Sequence, residues 1–350
     1  MCENQMLKHI DLLDCTLRDG SYALNHQFTV VDTARICAAL EESGLRMIEV
    51  GHGVGLGASG PQHGFAAETD EAYLLAAAGA LKQAKYGAFF IPGIGTKAHL
   101  DMARQCGMGF VRVGTNITQY KDAKDYIIYA KNLGFEVSYN AMKSYVVTPR
   151  DFLTCVRDTV AWGADTVFLV DSAGGMLPGE VSQYIRLMRD NLEVQIGFHG
   201  HNNLMMATAN NLAALAEGAT VLDTTLQGIG RGSGNAPTEV MTTLCEKMGY
   251  HTGIDLWKTL EAGEKLLRPL MNGGGITSLE VAIGLACFHS SYLDRIYRVT
   301  QRIPVDPKLL IIEVSKIDKV NPSEELMERV AMSIVEKGEE AENGIAQGFR

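Results

Sequence analysis

The residues best suited to chemistry stand where short apolar runs end. The first run closes on Asp14-Cys15-Thr16-Leu17-Arg18-Asp19-Gly20-Ser21-Tyr22. An arginine beside an aspartate ahead of a glycine turn puts a cation and an anion at one point; a surface ion pair next to a turn has the same spelling. A later run closes on Gly197-Phe198-His199-Gly200-His201-Asn202-Asn203. Residues two apart in a strand share a face, so His199 and His201 point the same way. Two imidazoles on one side make a natural clamp for a divalent metal, and two histidines bonding loop carbonyls would share that spacing. A carboxylate from another strand would complete a two-His-one-carboxylate set with open positions, and Asp19 is the natural candidate. A third run ends in Val170-Asp171-Ser172-Ala173-Gly174-Gly175, which suits either an anion nest of backbone N–H groups or a plain turn. The stretch Gly228-Ile229-Gly230-Arg231-Gly232-Ser233-Gly234-Asn235-Ala236-Pro237 lacks the ending of a P-loop and the spacing of a dinucleotide fingerprint. It reads as a substrate loop, from which Asn235 could reach a metal, or as a structural glycine turn.

The elements that must position these residues follow a regular alternation. Short runs rich in Val, Ile and Phe lie at 10–17, 46–51, 86–92, 109–114, 136–142, 166–172, 194–200 and 220–226. Near-continuous apolar character marks strands buried on both faces. Helical stretches lie between them, several stopping at Gly44, Gly107, Gly134, Gly163 and Gly218. Eight strands alternating with helices predict an α/β chain of the (β/α)8 TIM-barrel class, with function at the C-terminal ends of the strands; an open doubly wound sheet is the other arrangement. Strands 1 and 7 are both odd, so Asp19 and the two histidines can meet in one layer. The barrel is expected over 8–245. A helical extension and small α-rich C-terminal domain is expected over 246–338, and a disordered polar tail over 339–350.

Composition narrows the function classes. With 31 basic against 41 acidic residues the formal charge is -10, and no basic run appears, which argues against a nucleic-acid surface or a polybasic membrane anchor. No apolar stretch is long enough for a membrane span, and the start lacks the pattern of a signal peptide. The seven cysteines are scattered, with no C-x-x-C pair, and read as reduced residues of a cytoplasmic protein.

The motifs D-C-T-L-R-D-G-S (14–21), H-G-H-N-N (199–203) and G-I-G-R-G-S-G-N-A-P (228–237) together resemble the DRE-type superfamily of metal-dependent pyruvate-lyase and acyl-transferase barrels. This group holds 3-hydroxy-3-methylglutaryl-CoA lyase, isopropylmalate and homocitrate synthases, and 4-hydroxy-2-oxovalerate aldolase. The resemblance is strongest to the aldolase branch. It extends through 48–56, I-P-G-I-G (91–95), V-R-V-G-T (111–115), V-D-S-A-G-G (170–175) and L-R-P-L (267–270), and so over nearly the whole chain.

The resemblance implies a class II aldolase that cleaves or forms a 4-hydroxy-2-oxo acid from pyruvate and an aldehyde. Asp19, His199 and His201 would hold a divalent metal, Mn2+ before Mg2+ or Co2+. Arg18 would stabilise the enolate, and Ser172 would help bind the carboxylate. One departure stands out. The aldolases carry a histidine after D-G-S, where this chain has Tyr22, and a tyrosine in a late V-Y-S-S-F segment, where it has His289. The two side chains are thus exchanged. An unperturbed phenol near pKa 10 is a poor base at neutral pH and an imidazole near 6.5 a good one. His289 is therefore expected to act as general base, with Tyr22 orienting it or the substrate hydroxyl; a buried structural histidine is the plain alternative. The resemblance also implies an acylating aldehyde dehydrogenase docked on the C-terminal domain. The apolar residues Leu309, Leu310, Leu326, Val330 and Ile334 would serve that interface or the small domain's own core. Two other functions compete: a Claisen-type acyl-CoA synthase or lyase, weakened by Ser21-Tyr22 where synthases tend to carry Glu-Gln, and a non-catalytic metal-binding subunit.

Overall fold

The computed structural model describes residues 8–271 and 278–347. Eight strands follow one another along the chain: β1 (Asp11–Leu17), β2 (Met47–Val50), β3 (Lys85–Phe90), β4 (Phe110–Asn116), β5 (Glu136–Met142), β6 (Thr166–Asp171), β7 (Gln195–Gly200) and β8 (Val221–Thr224). Each pairs in parallel with the next, and β1 pairs with β8 from Asp11↔Val221 to Asp14↔Thr224, which closes the barrel. All eight apolar runs are strands, and the open sheet is excluded. Closure explains their composition: the inner face packs Leu13, Cys15, Phe110, Phe168, Val170 and Val221 together, while the outer face meets helices.

The surrounding helices are α1 (Val30–Glu42), α2 (Asp70–Ala80), α3 (Lys97–Gln105), α4 (Lys124–Asn132), α5 (Pro149–Ala161), α6 (Pro178–Arg189), α7 (Ala207–Glu217) and α8 (Thr238–Lys247). Local sequence sets their limits. Thr29 and Asp32 cap α1 reciprocally, and Thr148 caps α5 ahead of Pro149. The expected stops at Gly44, Gly107, Gly134, Gly163 and Gly218 all have positive φ, which glycine tolerates best.

Helix α9 (Leu256–Ala262) continues through a π-helical turn to Leu267 and packs on α1 and α8. Its Ala262 and Leu267, with Ile254, join the barrel core. Helices α10 (Ser278–Ala286), α11 (Leu293–Arg302), α12 (Pro307–Ser315) and α13 (Glu324–Gln347) build a separate core around Ile283, Phe288, Ile296, Leu310 and Met327. Leu310 and Val330 are buried there, and Leu326 and Ile334 pack against it, while Leu309 is exposed. The stretch 339–347, expected to be irregular, continues α13; its Glu- and Ala-rich sequence favours helix. Residues 348–350 lie outside the described residues. The six described cysteines are free, and no described helix is long and apolar enough to cross a membrane.

Candidate active site

Six charged or ionisable side chains near the C-terminal ends of the strands form a closed, buried ring. Arg18 Nε donates to Glu49 Oε2 at 2.7 Å, and Arg112 Nη1 donates to the same oxygen at 2.9 Å. Arg112 Nη2 reaches Asp223 Oδ2 at 2.5 Å, which lies 2.8 Å from His199 Nδ1. His199 Nε2 stands 3.3 Å from Asp19 Oδ2, and Asp19 Oδ2 stands 3.4 Å from Arg18 Nη1, closing the circuit. Every member is less than 9% exposed. Two guanidinium cations face three carboxylates, so with a neutral His199 the ring carries one net negative charge. A buried net charge is costly unless a counterion accompanies it.

The residues fit a divalent cation at Asp19, His199 and His201. Despite its burial, the pKa of His199 is raised by Asp19 and Asp223, which flank its two ring nitrogens; with Nδ1–H donating to Asp223, its Nε2 lone pair and the Asp19 oxygen 3.3 Å away are both free to ligate a cation between them. Among the described residues Asp19 Oδ1 and His201 Nδ1 are buried without a hydrogen-bond partner, and His201 Nδ1 lies 3.9 Å from Asp19 Oδ2. The electrostatics agree. Burial alone would raise the Asp19 carboxyl, but Arg18, His201 and His199 hold it well below the carboxylate range. Burial depresses His201 to about 4 against the pull of Asp19, so it is neutral at pH 7. Cys15, His199 and Asp223 also cluster. They fit less well, because burial pushes the Cys15 thiol far up and Asp223 Oδ2 is already shared by Arg112 and His199. Asn235 Nδ2 donates to Asp19 Oδ2 at 3.3 Å. Gly230 makes room for it: a Cβ there would stand 2.1 Å from Asn235 Nδ2.

Arg18, Asp19, Tyr22, Ser172, His199, His201 and His289 all line one cavity of about 280 Å³ at the barrel mouth. His289 reaches it because α10 packs on the loop after β6, where a Cβ on Gly175 would stand 2.2 Å from the Gly284 carbonyl oxygen. His289 Nδ1 lies 3.2 Å from the Ser291 backbone nitrogen and 2.7 Å from Ser291 Oγ. Burial, then Arg231 and Lys143, hold its pKa well below the imidazole value. Tyr22 packs edge-on to His26 under the guanidinium of Arg231, 4.7 Å above its ring. Among the described residues no hydrogen bond joins Tyr22 to His289. The loop after β6 is not an open anion nest. Asp171 turns back into it, its carboxylate accepting the N–H groups of Gly175 and Met176. Ser172 Oγ accepts the Lys143 N–H at 3.0 Å, so its own proton is free for a ligand.

Sequence reasoning assigns no role to Glu49, Arg112 or Asp223, yet each had a signal: a charged residue within an apolar strand, which burial tolerates only when paired. Arg231, which also lines the cavity, lies in the stretch read as a substrate loop, whereas Lys143, beside it in the lining, had no signal.

Comparison with known proteins agrees with this geometry. The HMGL-like family model matches residues 9–266. The chain is 41% identical to a 4-hydroxy-2-oxovalerate aldolase of Pelotomaculum thermopropionicum, covering 92% of this chain and 95% of that protein. It is 38% identical to the aldolase of the same name from Carboxydothermus hydrogenoformans, covering 94% and 98%. Its fold matches the crystal structure of the HMG-CoA lyase from Brucella melitensis with a TM-score of 0.64 at 17% identity, over 76% of this chain and all of that one. The chain therefore belongs to the HMGL-like family, within its group of 4-hydroxy-2-oxovalerate aldolases.

Proposed function

We propose that the chain is a carbon–carbon lyase that interconverts a 4-hydroxy-2-oxo acid with pyruvate and an aldehyde. The observation that carries this reading is Arg18 placed against Asp19, with His199 and His201, in a single cavity. The cavity volume, at the low end of small-molecule sites (about 300–1,000 Å³), suits small substrates. Asp19, His199 and His201 would hold the metal, for which we propose Mn2+ ahead of Mg2+ or Co2+. When bound, the ion supplies Lewis-acid polarisation of the 2-oxo acid. Arg18, held in place by Glu49, directs a fixed cation at the charge that develops as the C–C bond breaks. The Ser172 hydroxyl donates to the substrate carboxylate. His289, kept neutral, takes the hydroxyl proton at Nε2 in the tautomer whose Nδ1–H donates to Ser291 Oγ. Tyr22 orients the substrate hydroxyl.

We also propose cytoplasmic residence, which the free cysteines support. An acylating aldehyde dehydrogenase is proposed to dock on the C-terminal unit, where Leu309, Ile317 and Met332 are exposed. The deciding experiment is hydrogen–deuterium exchange at the pyruvate methyl group, with and without Mn2+. Metal-dependent exchange is expected; no exchange with any divalent metal overturns the reading and favours another donor, such as an acyl-CoA, or a subunit without catalysis.

A further inference from the structure

Among the described residues, two cations lining the cavity form no ion pair. Lys143 follows β5 in a left-handed backbone conformation, φ 57°, and is 3% exposed. Its backbone N–H meets Ser172 at the end proposed for pyruvate, while its side chain runs on to the Tyr292 hydroxyl at 2.7 Å and the Val320 carbonyl. Both acceptors are neutral, and an ammonium has three protons to donate. Among the described residues it forms no ion pair. Asp318, the acid that acts on it, spends Oδ1 on the N–H groups of Val320 and Asn321. Arg231 stands over the Tyr22 ring, and its guanidinium makes no hydrogen bond or ion pair among the described residues.

The charge count makes this notable. The ring around Asp19 carries one net negative charge; a divalent ion and a pyruvate anion bring the donor half to neutrality without Lys143 or Arg231. A buried ammonium without a counterion, on a strained backbone, is unfavourable in an apolar interior. Arg231 neighbours a residue assigned to the aldehyde end, and Lys143 lies one residue removed from another. Arg231 covers Tyr22, and Lys143 bonds Tyr292, whose ring centre is 6.1 Å from that of His289.

We propose that Lys143 and Arg231 form an anion subsite at the acceptor end of the cavity, and that the aldehyde used by this protein carries a carboxylate or a phosphate. The inference rests on the aldolase reading and deepens it by naming the acceptor class. Such an anion supplies the missing counterion and takes the third ammonium proton in a charge-assisted bond.

The test measures aldol formation from pyruvate with Mn2+ for 4-oxobutanoate and glycolaldehyde phosphate against butanal, a neutral aldehyde of similar length. The wild type is expected to favour one acidic aldehyde by about ten-fold or more in kcat/KM, the size of effect one charge-assisted bond supplies. The better of the two identifies the anion. Lys143→Met and Arg231→Leu should each cut that ratio about ten-fold, mainly through KM for the acidic aldehyde, and Lys143→Arg should restore part of it. Equal use of all three, a preference for butanal, or methyl exchange on pyruvate without product from any aldehyde overturns the proposal and leaves the enolising half of the aldolase reading standing. A rise in pyruvate KM common to all three aldehydes assigns the pair to the donor carboxylate and also overturns it. If Lys143 only ties Val320 to the barrel, Lys143→Met lowers Tm and leaves the ratio unchanged, a third refutation. Absence of pyruvate methyl exchange removes the aldolase reading itself, and this proposal with it.

Discussion

Asp223→Asn tests whether the buried ring positions the metal ligands or only fills the barrel. Asp223 Oδ2 is shared by two donors, Arg112 Nη2 at 2.5 Å and His199 Nδ1 at 2.8 Å. Asparagine keeps one acceptor oxygen, loses the charge, and turns an N–H2 donor toward one of those two donors. If Arg112 keeps the oxygen, His199 loses the bond that fixes its tautomer and aims Nε2 at the Asp19 side. Loss of such a supporting bond weakens metal binding about 10- to 100-fold, or roughly 1.4–2.8 kcal/mol. Leaving Arg112 with one carboxylate partner in place of two adds a folding cost of about 3 kcal/mol. At about 2.1 cal/mol/K per residue over 350 residues, 1 kcal/mol shifts Tm by about 1.4 °C, so Tm should fall by about 4 °C. The variant then stays folded at 25 °C, and the two effects separate. The assay titrates Mn2+ against the protein, following free Mn2+ by its electron paramagnetic resonance signal, beside a thermal melt. A lower Tm with unchanged Mn2+ affinity would refute the positioning argument and leave Asp223 a counterion of Arg112.

Three further outcomes follow from the same geometry. His289→Asn should lower kcat by about 10²–10⁴-fold; because the pKa of His289 is depressed, its neutral, proton-accepting form prevails from about pH 6 to pH 8, so kcat/KM should show no acid limb near 6.5. A limb there that disappears in the variant would contradict this. Gly230→Ala should displace Asn235 from Asp19 and weaken Mn2+ binding several-fold with little change in Tm, read by the same titration. Glu49→Gln removes the carboxylate that Arg18 and Arg112 share; a cost of about 3–5 kcal/mol should lower Tm by about 4–7 °C.

The sequence by itself determined the barrel and the nucleus of its site. Periodicity does this because a strand buried on both faces must be apolar throughout, and the glycines that stop its helices must adopt positive φ. His199 and His201 were legible because a strand repeats every two residues, and Asp19 because closure brings β1 near β7 through β8. Small residues after β6 permit a nest or a plain turn alike, and only the fold shows that Asp171 fills the loop. Tertiary structure alone decided which charges meet. Glu49, Arg112 and Asp223 lie on three different strands, and their ring depends on barrel register, which no local pattern encodes. Packing likewise assigned α9 to the barrel core and brought His289 to the mouth through the close approach of Gly175 to Gly284. Lys143 had no local signal, since a lysine in a loop is ordinarily solvated. Only the burial imposed by Tyr292 and Val320, far along the chain, leaves its charge without a counterion.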